Sequence, residues 1–317
     1  MNFYYKEHIK FVMNKVQIEL FVKIAESGSF TRAGQEMNMT QPAVSRAIST
    51  LEAELDVQLL VRDRRGISLT EVGKRILVAF RDILKGFGKV EQEIAAEKGL
   101  EKGLITIGAF PAASSYFIPK IIGAINRQYP QLEFRLHEGT IAEVKEWLET
   151  GVIDVGILIP PTDEFDSFPL FREKLYAVLP AGHPLAKKSV VKVRDFEKES
   201  MLICKSGYEP PVVELFERTG VNLNVKYVIN SYHTALNMVR EGLASAVMAQ
   251  LSLLSPPDGV AIRELEPPAY RDIRLAVHSA DRCSIAVRLF IDTALKLFAE
   301  GEEGDLKPEA GIDRIHM

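Results

Sequence analysis

Residues 27–77 read SGSFTRAGQEMNMTQPAVSRAISTLEAELDVQLLVRDRRGISLTEVGKRIL. The spacing of the apolar residues predicts a short helix over 30–37, a tight turn, and a second helix that begins after Thr40. Pro42 lies in the first turn of this second helix, where a missing N–H costs nothing. Further on, two apolar segments, VQLLV and ISLT, flank the basic RDRRG and predict two short strands. The stretch is therefore expected to form a helix-turn-helix with a wing.

A long helix is predicted from Thr70 to Lys98, because this segment lacks proline and its apolar residues recur at intervals of 4, 3, 4, 3 and 4 residues. The recurring residues are Ile76, Phe80, Ile83, Phe87, Val90 and Ile94. One isolated helix cannot bury such a heptad stripe, so it predicts dimerisation with the same helix of a second subunit. An ordinary core face is the alternative explanation.

Strand segments, among them LYAVLP and IRLAVH, alternate with helices in the remainder of the chain, and the first of these helices is expected near Tyr116 to Arg127. This alternation is typical of a parallel sheet covered by helices. We expect two α/β lobes with a cleft between them. The chain is expected to cross from the first lobe near Pro160 and Pro161 and to return near Pro267 and Pro268. The fold class is thus an N-terminal all-α winged helix-turn-helix with a long linker helix, followed by a C-terminal α/β two-lobed domain.

This organisation predicts the domain boundaries. They are an N-terminal extension (1–12), the winged helix-turn-helix (13–70), a linker and dimerisation helix (71–98), a hinge (99–103), lobe I (104–161 and 266–299), lobe II (162–265) and a disordered acidic tail (300–317).

Composition excludes several classes of protein. With 47% hydrophobic and 26% charged residues, the chain is neither disordered nor embedded in a membrane. The N-terminus resembles no secretory signal, so we expect a cytoplasmic protein. Up to Arg75 the chain has 11 Lys and Arg against 9 Asp and Glu, a net charge of +2; the remainder, with 28 against 34, carries −6. The basic part is therefore the predicted helix-turn-helix.

No catalytic residue, cofactor or metal site is predicted. The sequence lacks the nucleophile elbow, dinucleotide, P-loop and zinc-protease motifs, and its six histidines are scattered. Cys204 and Cys283 form neither a disulfide framework nor a CxxC pair. An enzyme on an α/β fold and a transport-associated solute-binding protein remain alternatives, disfavoured by the absent motifs and by the helix-turn-helix respectively.

The quoted stretch, and above all TQPAVSRAISTLE within it, resembles the N-terminal domain of the LysR-type transcriptional regulators. The pattern LT-x-x-G after the basic tip is a second specific match. The resemblance covers nearly the whole chain, because the family also has a long dimerising linker helix and a two-lobed domain similar to periplasmic solute-binding proteins. It implies a DNA-binding regulator of transcription.

Several residues depart from the family pattern. Gly34 stands where a second alanine is common, Asp56 where a glycine usually ends the recognition helix, and Leu60 where phenylalanine is usual. All three are packing or turn positions outside the DNA-reading face. Relatives usually begin a few residues before the first helix, so Met13 is a plausible start and residues 1–12 would be extra sequence.

The resemblance implies that the second helix of the motif lies in the major groove. Gln41 suits an adenine edge, Pro42 a thymine methyl, and Arg46 a guanine or a phosphate. The predicted DNA contacts are Thr40, Gln41, Pro42, Ser45, Arg46 and Ser49 on the helix, and Arg62, Arg64 and Arg65 in the wing, along the backbone or in the minor groove. Thr40 is also expected to cap the helix. A merely solvated polar face is the alternative.

The resemblance also implies that a small metabolite, often an anion, binds between the lobes at helix N-termini. The predicted effector-binding residues are Ala112, Ser114, Ser115 and Thr140 in lobe I, and Ser206, Gly207, Ser231 and His233 in lobe II. Relatives often carry Ser or Thr at the position of Ala112, so Ser114 is expected to replace that hydroxyl. Simple N-capping is the alternative role for each serine and threonine.

The partners expected from the family are a double-stranded DNA operator with an inverted repeat, a second copy of the chain in a dimer or a tetramer, a small-molecule inducer, and RNA polymerase; no membrane partner is expected. Family habit favours an activator. A thiol-based redox sensor is the alternative within regulation, although the distance between Cys204 and Cys283 in sequence does not match a local sensing pair.

Overall fold

The structure is a computed structural model, and the residues it describes are 13–63, 66–97, 103–205 and 209–298. The chain divides into two units, residues 1–94 and 95–317. The predicted N-terminal extension and the predicted tail lie outside the described residues, as does the hinge before Gly103. Each unit has its own hydrophobic core.

The first unit has the predicted winged helix-turn-helix fold. Its elements are α1 (Lys15–Ser27), α2 (Phe30–Glu36), α3 (Gln41–Leu55), β1 (Leu60–Asp63), β2 (Gly66–Leu69) and α4 (Glu71–Glu97). The caps explain where the first helices begin. Asn14 accepts a hydrogen bond from the Gln17 N–H at 3.0 Å and closes a capping box at the start of α1, and Ser29 caps α2.

The turn between α2 and α3 accounts for Gly34. The Met39 N–H donates to the Gly34 carbonyl at 2.8 Å, and Asn38 takes a left-handed conformation with φ of +53°. A Cβ added to Gly34 would lie 2.7 Å from the Met39 carbonyl oxygen and 3.1 Å from a Val44 methyl. The turn is therefore tight enough to favour glycine over the alanine common in relatives.

The residue that ends the recognition helix is Asp56, with φ of +51°. This left-handed conformation explains why relatives usually carry glycine here, since aspartate tolerates it at some cost. Leu60, the third departure, is buried in the core of the unit.

The LT-x-x-G pattern joins the wing to α4. Thr70 N–H donates to the Leu59 carbonyl at 3.0 Å, its hydroxyl donates to the Gln58 carbonyl at 2.8 Å, and the Gly73 N–H donates to that hydroxyl at 2.9 Å. A Cβ on Gly73 would lie only 2.2 Å from the Leu59 carbonyl oxygen. Threonine thus caps α4 while glycine lets the helix approach the strand backbone.

The second unit contains the two predicted α/β lobes. Its elements are β3 (Gly103–Ala109), α5 (Pro111–Asn126), β4 (Leu132–Glu138), α6 (Ile141–Glu149), β5 (Val155–Leu158), β6 (Asp166–Pro180), β7 (Val190–Lys192), β8 (Met201–Cys204), α7 (Glu209–Thr219), β9 (Val225–Ile229), α8 (Tyr232–Arg240), β10 (Ser245–Ala249), β11 (Val260–Glu266), β12 (Tyr270–Val277) and α9 (Ile285–Phe298). Short 3₁₀ helices lie at Pro184–Lys187, Val193–Phe196, Gln250–Leu253 and Ala280–Arg282.

One mixed sheet runs through both lobes in the order β4-β3-β5-β12-β6-β10-β8-β9, with β11 beside β6 and β7 beside β11. Strand β3 is parallel to β4 and β5 in lobe I, and β8 is parallel to β9 and β10 in lobe II. Strand β12 is antiparallel to β5 and β6. The two lobes are thus joined by the β6–β12 ladder.

The chain passes between the lobes later than the sequence suggested. Leu170 packs in the core of lobe I and Leu175 in that of lobe II, so β6 makes the crossing well after Pro161. Ala269 belongs to the core of lobe II and Ile273 to that of lobe I, so the return follows the predicted position closely.

Strand β6 is more than twice as long as the LYAVLP segment from which it was expected. Its first half contains Pro169, which donates no ladder hydrogen bond, and the register with β12 skips Leu170. Strands β7 and β11 were not expected at all, and α5 begins at Pro111, five residues before its expected start near Tyr116.

Within the described ranges, every helix is too short or too polar to cross a bilayer. The same ranges hold no cluster of three or more His, Cys, Asp or Glu side chains placed to bind a metal ion.

Substitution of Gly73 tests its close approach to the Leu59 carbonyl. Gly73→Ala should lower the free energy of unfolding of the first unit by about 2 kcal/mol, because the added methyl group forces the Leu59 backbone to move. Gly88→Ala, in the same helix, should raise it by about 0.5–1 kcal/mol, since nothing lies within 4 Å of the added Cβ. Pulsed hydrogen exchange at increasing urea concentration, read on peptides from residues 13–97, measures both. Equal effects of the two alanines would contradict the packing role of Gly73.

Candidate nucleic-acid interface and effector site

Helix α3 separates buried apolar residues from an exposed polar face. Val44, Ile48 and Leu51 are fully buried against α1 and α2. The predicted DNA contacts Thr40, Gln41, Pro42, Arg46 and Ser49 are exposed, and Ser45 is half-buried. The helix therefore brings all six predicted contact residues together at its N-terminal half and on one side.

Arg46 and Gln41 make no hydrogen bond or ion pair with any described residue. By contrast, Arg32 on α2 lies 3.9 Å from Glu36, and Arg81 pairs with Glu26 at 3.1 Å. Gln41 and Arg46 thus form no polar contact with the rest of the described unit and are available for a ligand.

The expectation that the Thr40 side chain caps α3 is wrong. Thr40 occupies the N-cap position with extended backbone, and its carbonyl accepts from the Val44 N–H, but its hydroxyl makes no capping hydrogen bond. Pro42 occupies the first turn, so one of the N–H groups that a cap would satisfy does not exist. The hydroxyl is left for another partner.

Glu52 is a residue that sequence reasoning missed. Its carboxylate Oε1 accepts hydrogen bonds from the N–H groups of Leu59 and Leu60, at 2.7 and 3.0 Å. The contact ties the start of the wing to the recognition helix, so Glu52 determines where the wing begins relative to α3. The only sequence signal was a charged residue on the half-buried side of the helix.

The wing is an antiparallel pair of strands, β1 and β2, in which Leu60 pairs with Leu69 and Asp63 with Gly66. Arg62 belongs to β1, and its side chain is not described. Arg64 and Arg65, the other two predicted wing contacts, lie outside the described residues.

The apolar stripe of α4 has two parts. Phe80 is buried and packs edge-on against Phe21 at 5.6 Å between ring centroids, and Ile76 is half-buried in the same core. Their assignment to a partner helix is corrected here, because they hold α4 against α1. Ile83, Phe87, Val90 and Ile94 remain exposed, with 57% of Val90 accessible. These four residues are called the distal stripe below.

The predicted effector residues of lobe I lie at two helix starts. Helices α5 and α6 follow β3 and β4, whose carboxyl ends share one edge of the sheet. Ala112 and Ser114 are buried in the first turn of α5, and the Ser115 hydroxyl donates to the Ala112 carbonyl at 3.1 Å. Of these three side chains, Ser115 is the exposed one.

Thr140 is an N-cap. Its hydroxyl accepts from the Glu143 N–H at 3.3 Å, and Glu143 returns a contact to the Thr140 N–H at 2.7 Å in a capping box. Hydrogen bonds from the Thr140 backbone and hydroxyl hold the pKa of the exposed Glu143 carboxyl below its usual value. Both groups already have partners within the chain.

In lobe II, Ser231 caps α8 through the Thr234 N–H at 3.3 Å, which is the alternative role that the sequence left open. His233 is exposed, and its ring lies 4.1 Å from that of Tyr232. Ser206 and Gly207 lie outside the described residues.

The two cysteines are buried in different lobes. Cys204 ends β8 in the core of lobe II, whereas Cys283 packs in the core of lobe I and contacts the Ser279 carbonyl at 3.4 Å. Burial and separate surroundings are those of packed thiols rather than of an exposed sensing pair.

A cavity of about 330 Å³ lies beside α7 and contains none of the predicted effector residues. Its charged lining is Arg172, Glu214 and Arg218, with Tyr270 as an aromatic wall. The Arg172 guanidinium stacks on Tyr270 at 4.9 Å and lies 3.7 Å from Asp272, so its charge is compensated by the chain itself.

Comparison with family models matches both parts of the chain. Residues 16–74 match the bacterial regulatory helix-turn-helix protein model of the lysR family, and residues 98–299 match the LysR substrate binding domain. The uncharacterized HTH-type transcriptional regulator YvbU of Bacillus subtilis is 50% identical over 289 residues, which are 90% of this chain and 99% of YvbU.

Solved structures share the fold. Full-length OxyR from Pseudomonas aeruginosa matches with a TM-score of 0.73 at 24% identity, covering 89% of this chain and 97% of that one. Full-length CbnR in complex with its target DNA matches with a TM-score of 0.63 at 21% identity, covering 90% and 99%. At these identities the likeness concerns the fold alone.

The distal stripe predicts self-association. Val90→Glu should weaken the dimer at least about tenfold, because a carboxylate would be buried without a partner between two helices. Lys89→Glu adds the same group beside the stripe and is the matched control. Sedimentation equilibrium of the full chain measures both dissociation constants. Similar constants for the two variants would mean that the distal stripe does not form the interface.

Proposed function

The chain belongs to the LysR family of bacterial transcriptional regulators, and from that premise we propose that it binds an inverted-repeat operator and responds to a small anionic effector. The domain that precedes Ile94 is the helix-turn-helix, and the second unit is the effector-binding domain of the family. One observation carries the DNA-binding part of the proposal: the exposed face of α3 holds Gln41 and Arg46, which have no hydrogen-bond or ion-pair partner among the described residues.

Each exposed group on α3 suits one feature of duplex DNA. The Gln41 amide can donate and accept at an adenine edge, and the Pro42 ring can contact a thymine methyl. The Arg46 guanidinium can bind guanine O6 and N7 together or a phosphate. Ser45 and Ser49 are short enough to let the helix approach the bases, and the Thr40 hydroxyl, which makes no capping hydrogen bond, can contact a phosphate.

The wing supplies positioning rather than sequence recognition. Arg62, Arg64 and Arg65 follow one another closely in sequence, and Arg62 belongs to β1, the strand whose start Glu52 ties to α3. We expect these guanidinium groups to neutralise phosphates or to enter the minor groove, so that their contribution to affinity falls as salt rises.

Dimerisation brings two α3 helices onto one face of the duplex. The distal stripe of α4 is exposed and apolar, which suits a second copy of the same helix. A two-fold axis between the copies requires an inverted repeat with half-sites about one helical turn, or a multiple of it, apart. We infer that dimers pair further into a tetramer and that the bound assembly activates transcription through contact with RNA polymerase, as is the habit of the family.

A small carboxylate or a similar anion is the proposed effector. The N-termini of α5 and α6 lie at one edge of the sheet of lobe I and that of α8 follows β9 of lobe II, and free N–H groups there favour negative charge. Ser114 and Ser115 in α5 are the preferred contacts, with Ala112 supplying backbone N–H. Thr140, Ser231 and His233 border the site, and Ser206 and Gly207 complete the set by family resemblance.

A thiol-based redox sensor is the second candidate, because one structural neighbour is OxyR and a relative 29% identical to this chain is a hydrogen peroxide-inducible genes activator of Haemophilus influenzae. The positions of the cysteines favour a metabolite, rather than an oxidant, as the signal to which the protein responds. Cys204 and Cys283 are each buried in a different core, so a disulfide between them would require both lobes to open.

Arg46→Ala tests the DNA-binding proposal. Loss of a bidentate contact in each half-site should reduce affinity for the operator about 10- to 100-fold. The melting temperature should stay unchanged, because Arg46 is exposed and makes no hydrogen bond or ion pair with a described residue. The operator is obtained by selection from a random duplex library with the unmodified protein, and affinity is measured by fluorescence anisotropy at one salt concentration.

Arg127→Ala, which removes an exposed arginine from the second unit, is the control for net charge. It should retain full affinity. Unchanged affinity of the Arg46 variant, or selected sites without an inverted repeat, would contradict the proposed mode of binding.

The effector is tested with a panel of small carboxylates. A ligand that binds the folded state should raise the melting temperature of the second unit and change transcription from the selected operator. Cys204→Ala/Cys283→Ala should respond to the same carboxylate as the unmodified protein. If instead only peroxide alters transcription, and the double variant loses that response, the redox function is correct and the metabolite is not.

A further inference from the structure

Buried polar side chains lie where the two lobes join. Glu173 on β6 is fully buried, and Arg271, its cross-strand partner on β12, is 5% exposed. Both lie on the stretch of the β6–β12 ladder between Leu170 of lobe I and Leu175 of lobe II. Among the described residues, the ladder passes from one lobe to the other only along this stretch. A pair of opposite charges thus lies at the crossing.

The pair contacts more than the two strands. Arg271 Nε donates to Glu173 Oε1 at 2.5 Å, and its Nη2 contacts the same oxygen. Glu173 Oε2 accepts from the Leu251 N–H at 2.9 Å. The Arg271 guanidinium lies 5.1 Å from the centre of the Phe110 ring.

These two further contacts involve the start of α5 and the 3₁₀ helix that follows β10. Phe110 is the N-cap of α5, the helix whose first turn holds Ser114. Leu251 directly follows β10 of lobe II, yet its side chain packs in the core of lobe I. The ion pair is therefore the common neighbour of both crossing strands, the start of α5 and the segment after β10.

A buried ion pair is a poor source of stability, since removing two charges from water costs about as much as their attraction returns. The energy of such a pair depends strongly, however, on the relative positions of its charged groups. A shift of one lobe that separated Arg271 from Glu173, or Leu251 from Glu173, would leave a buried charge or N–H group without its partner. Such a pair permits one arrangement of its neighbours and penalises others.

We propose that Glu173 and Arg271 are a positioning pair that holds the two lobes, and with them the first turn of α5, in one relative arrangement. The pair determines the position of α5, at whose N-terminus we place the effector. A bound effector would therefore change the arrangement of the lobes only by disturbing these contacts. This consequence rests on the proposed effector function. The positioning itself does not.

The next cross-strand pair on the same strands offers a matched control. Arg172 and Asp272 are neighbours of Glu173 and Arg271 in sequence and are likewise paired in the ladder. Their side chains are about 60% exposed and lie 3.7 Å apart. Water solvates this pair, so its removal should change little.

The test replaces each pair by apolar residues and measures the distance between the lobes. Spin labels are placed on cysteines introduced at the exposed Gln128 of lobe I and Lys187 of lobe II, in the Cys204→Ala/Cys283→Ala background. Double electron–electron resonance of labelled chains diluted into unlabelled ones gives the distances within one chain. Neither DNA nor effector is present, so failure here is distinct from failure of the proposed function.

Glu173→Leu/Arg271→Met should lose the single narrow distance of the unmodified protein, whereas Arg172→Met/Asp272→Leu should keep it. Arg271→Met alone should lower the melting temperature by roughly 10 °C, because it leaves the Glu173 charge buried without its partner, and the double variant should recover most of that loss. A double variant that melts normally and keeps the narrow distance would overturn the proposal.

A measurement on the unmodified protein covers the case in which the double variant does not fold. The Leu251 N–H should exchange with solvent as slowly as the amides of the β6–β12 ladder, because its acceptor is the buried Glu173 carboxylate. Exchange as fast as that of an exposed turn would mean that the contact does not persist, and the positioning role would be rejected.

Discussion

The antiparallel pairing of β6 with β12 is the constraint on which the second unit depends. Without this ladder the two lobes would be separate sheets, because no other strand pair joins β5 of lobe I to β10 of lobe II in the described residues. Both strands must cross together, so the irregularity at Pro169 and Leu170 and the buried charges of Glu173 and Arg271 fall in the same short stretch. Relative movement of the lobes must be accommodated there.

The first unit depends on backbone contacts that leave no room for a methyl group. Gly34 lies against the Met39 carbonyl and Gly73 against that of Leu59, so the angle between α2 and α3 and the start of α4 are each determined by a glycine. Glu52 adds a side-chain tie from α3 to the wing. Direct contacts therefore join α3 to the start of the wing, and the exposed face of α3 is the surface that we propose binds DNA.

Sequence reasoning predicted what local signals encode. Ser29, Pro42 and the basic tip between two apolar segments mark boundaries within a few residues, which is why the helix-turn-helix and wing could be predicted. Sequence reasoning failed where contacts between residues far apart in sequence determine the structure. Phe80 fits a heptad stripe as well as a core, and only the position of Phe21 assigns it to the core. The first half of β6 carries no regular strand pattern, because exposed, half-buried and buried residues follow one another there irregularly and Pro169 interrupts them.

The same difference between local sequence signals and contacts distant in sequence applies to the candidate sites. Arg46 and Arg271 illustrate it. Arg46 could be predicted as a DNA contact because it lies within a recognisable motif, and the structure shows it exposed to solvent. Arg271 was not singled out, since nothing in IRLAV or its surroundings marks that residue for burial beside a carboxylate 98 residues earlier. An exposed charged side chain can bind a ligand, whereas a buried charged side chain needs its partner within the core. In our proposals, residues of the first kind bind DNA and residues of the second kind hold the lobes.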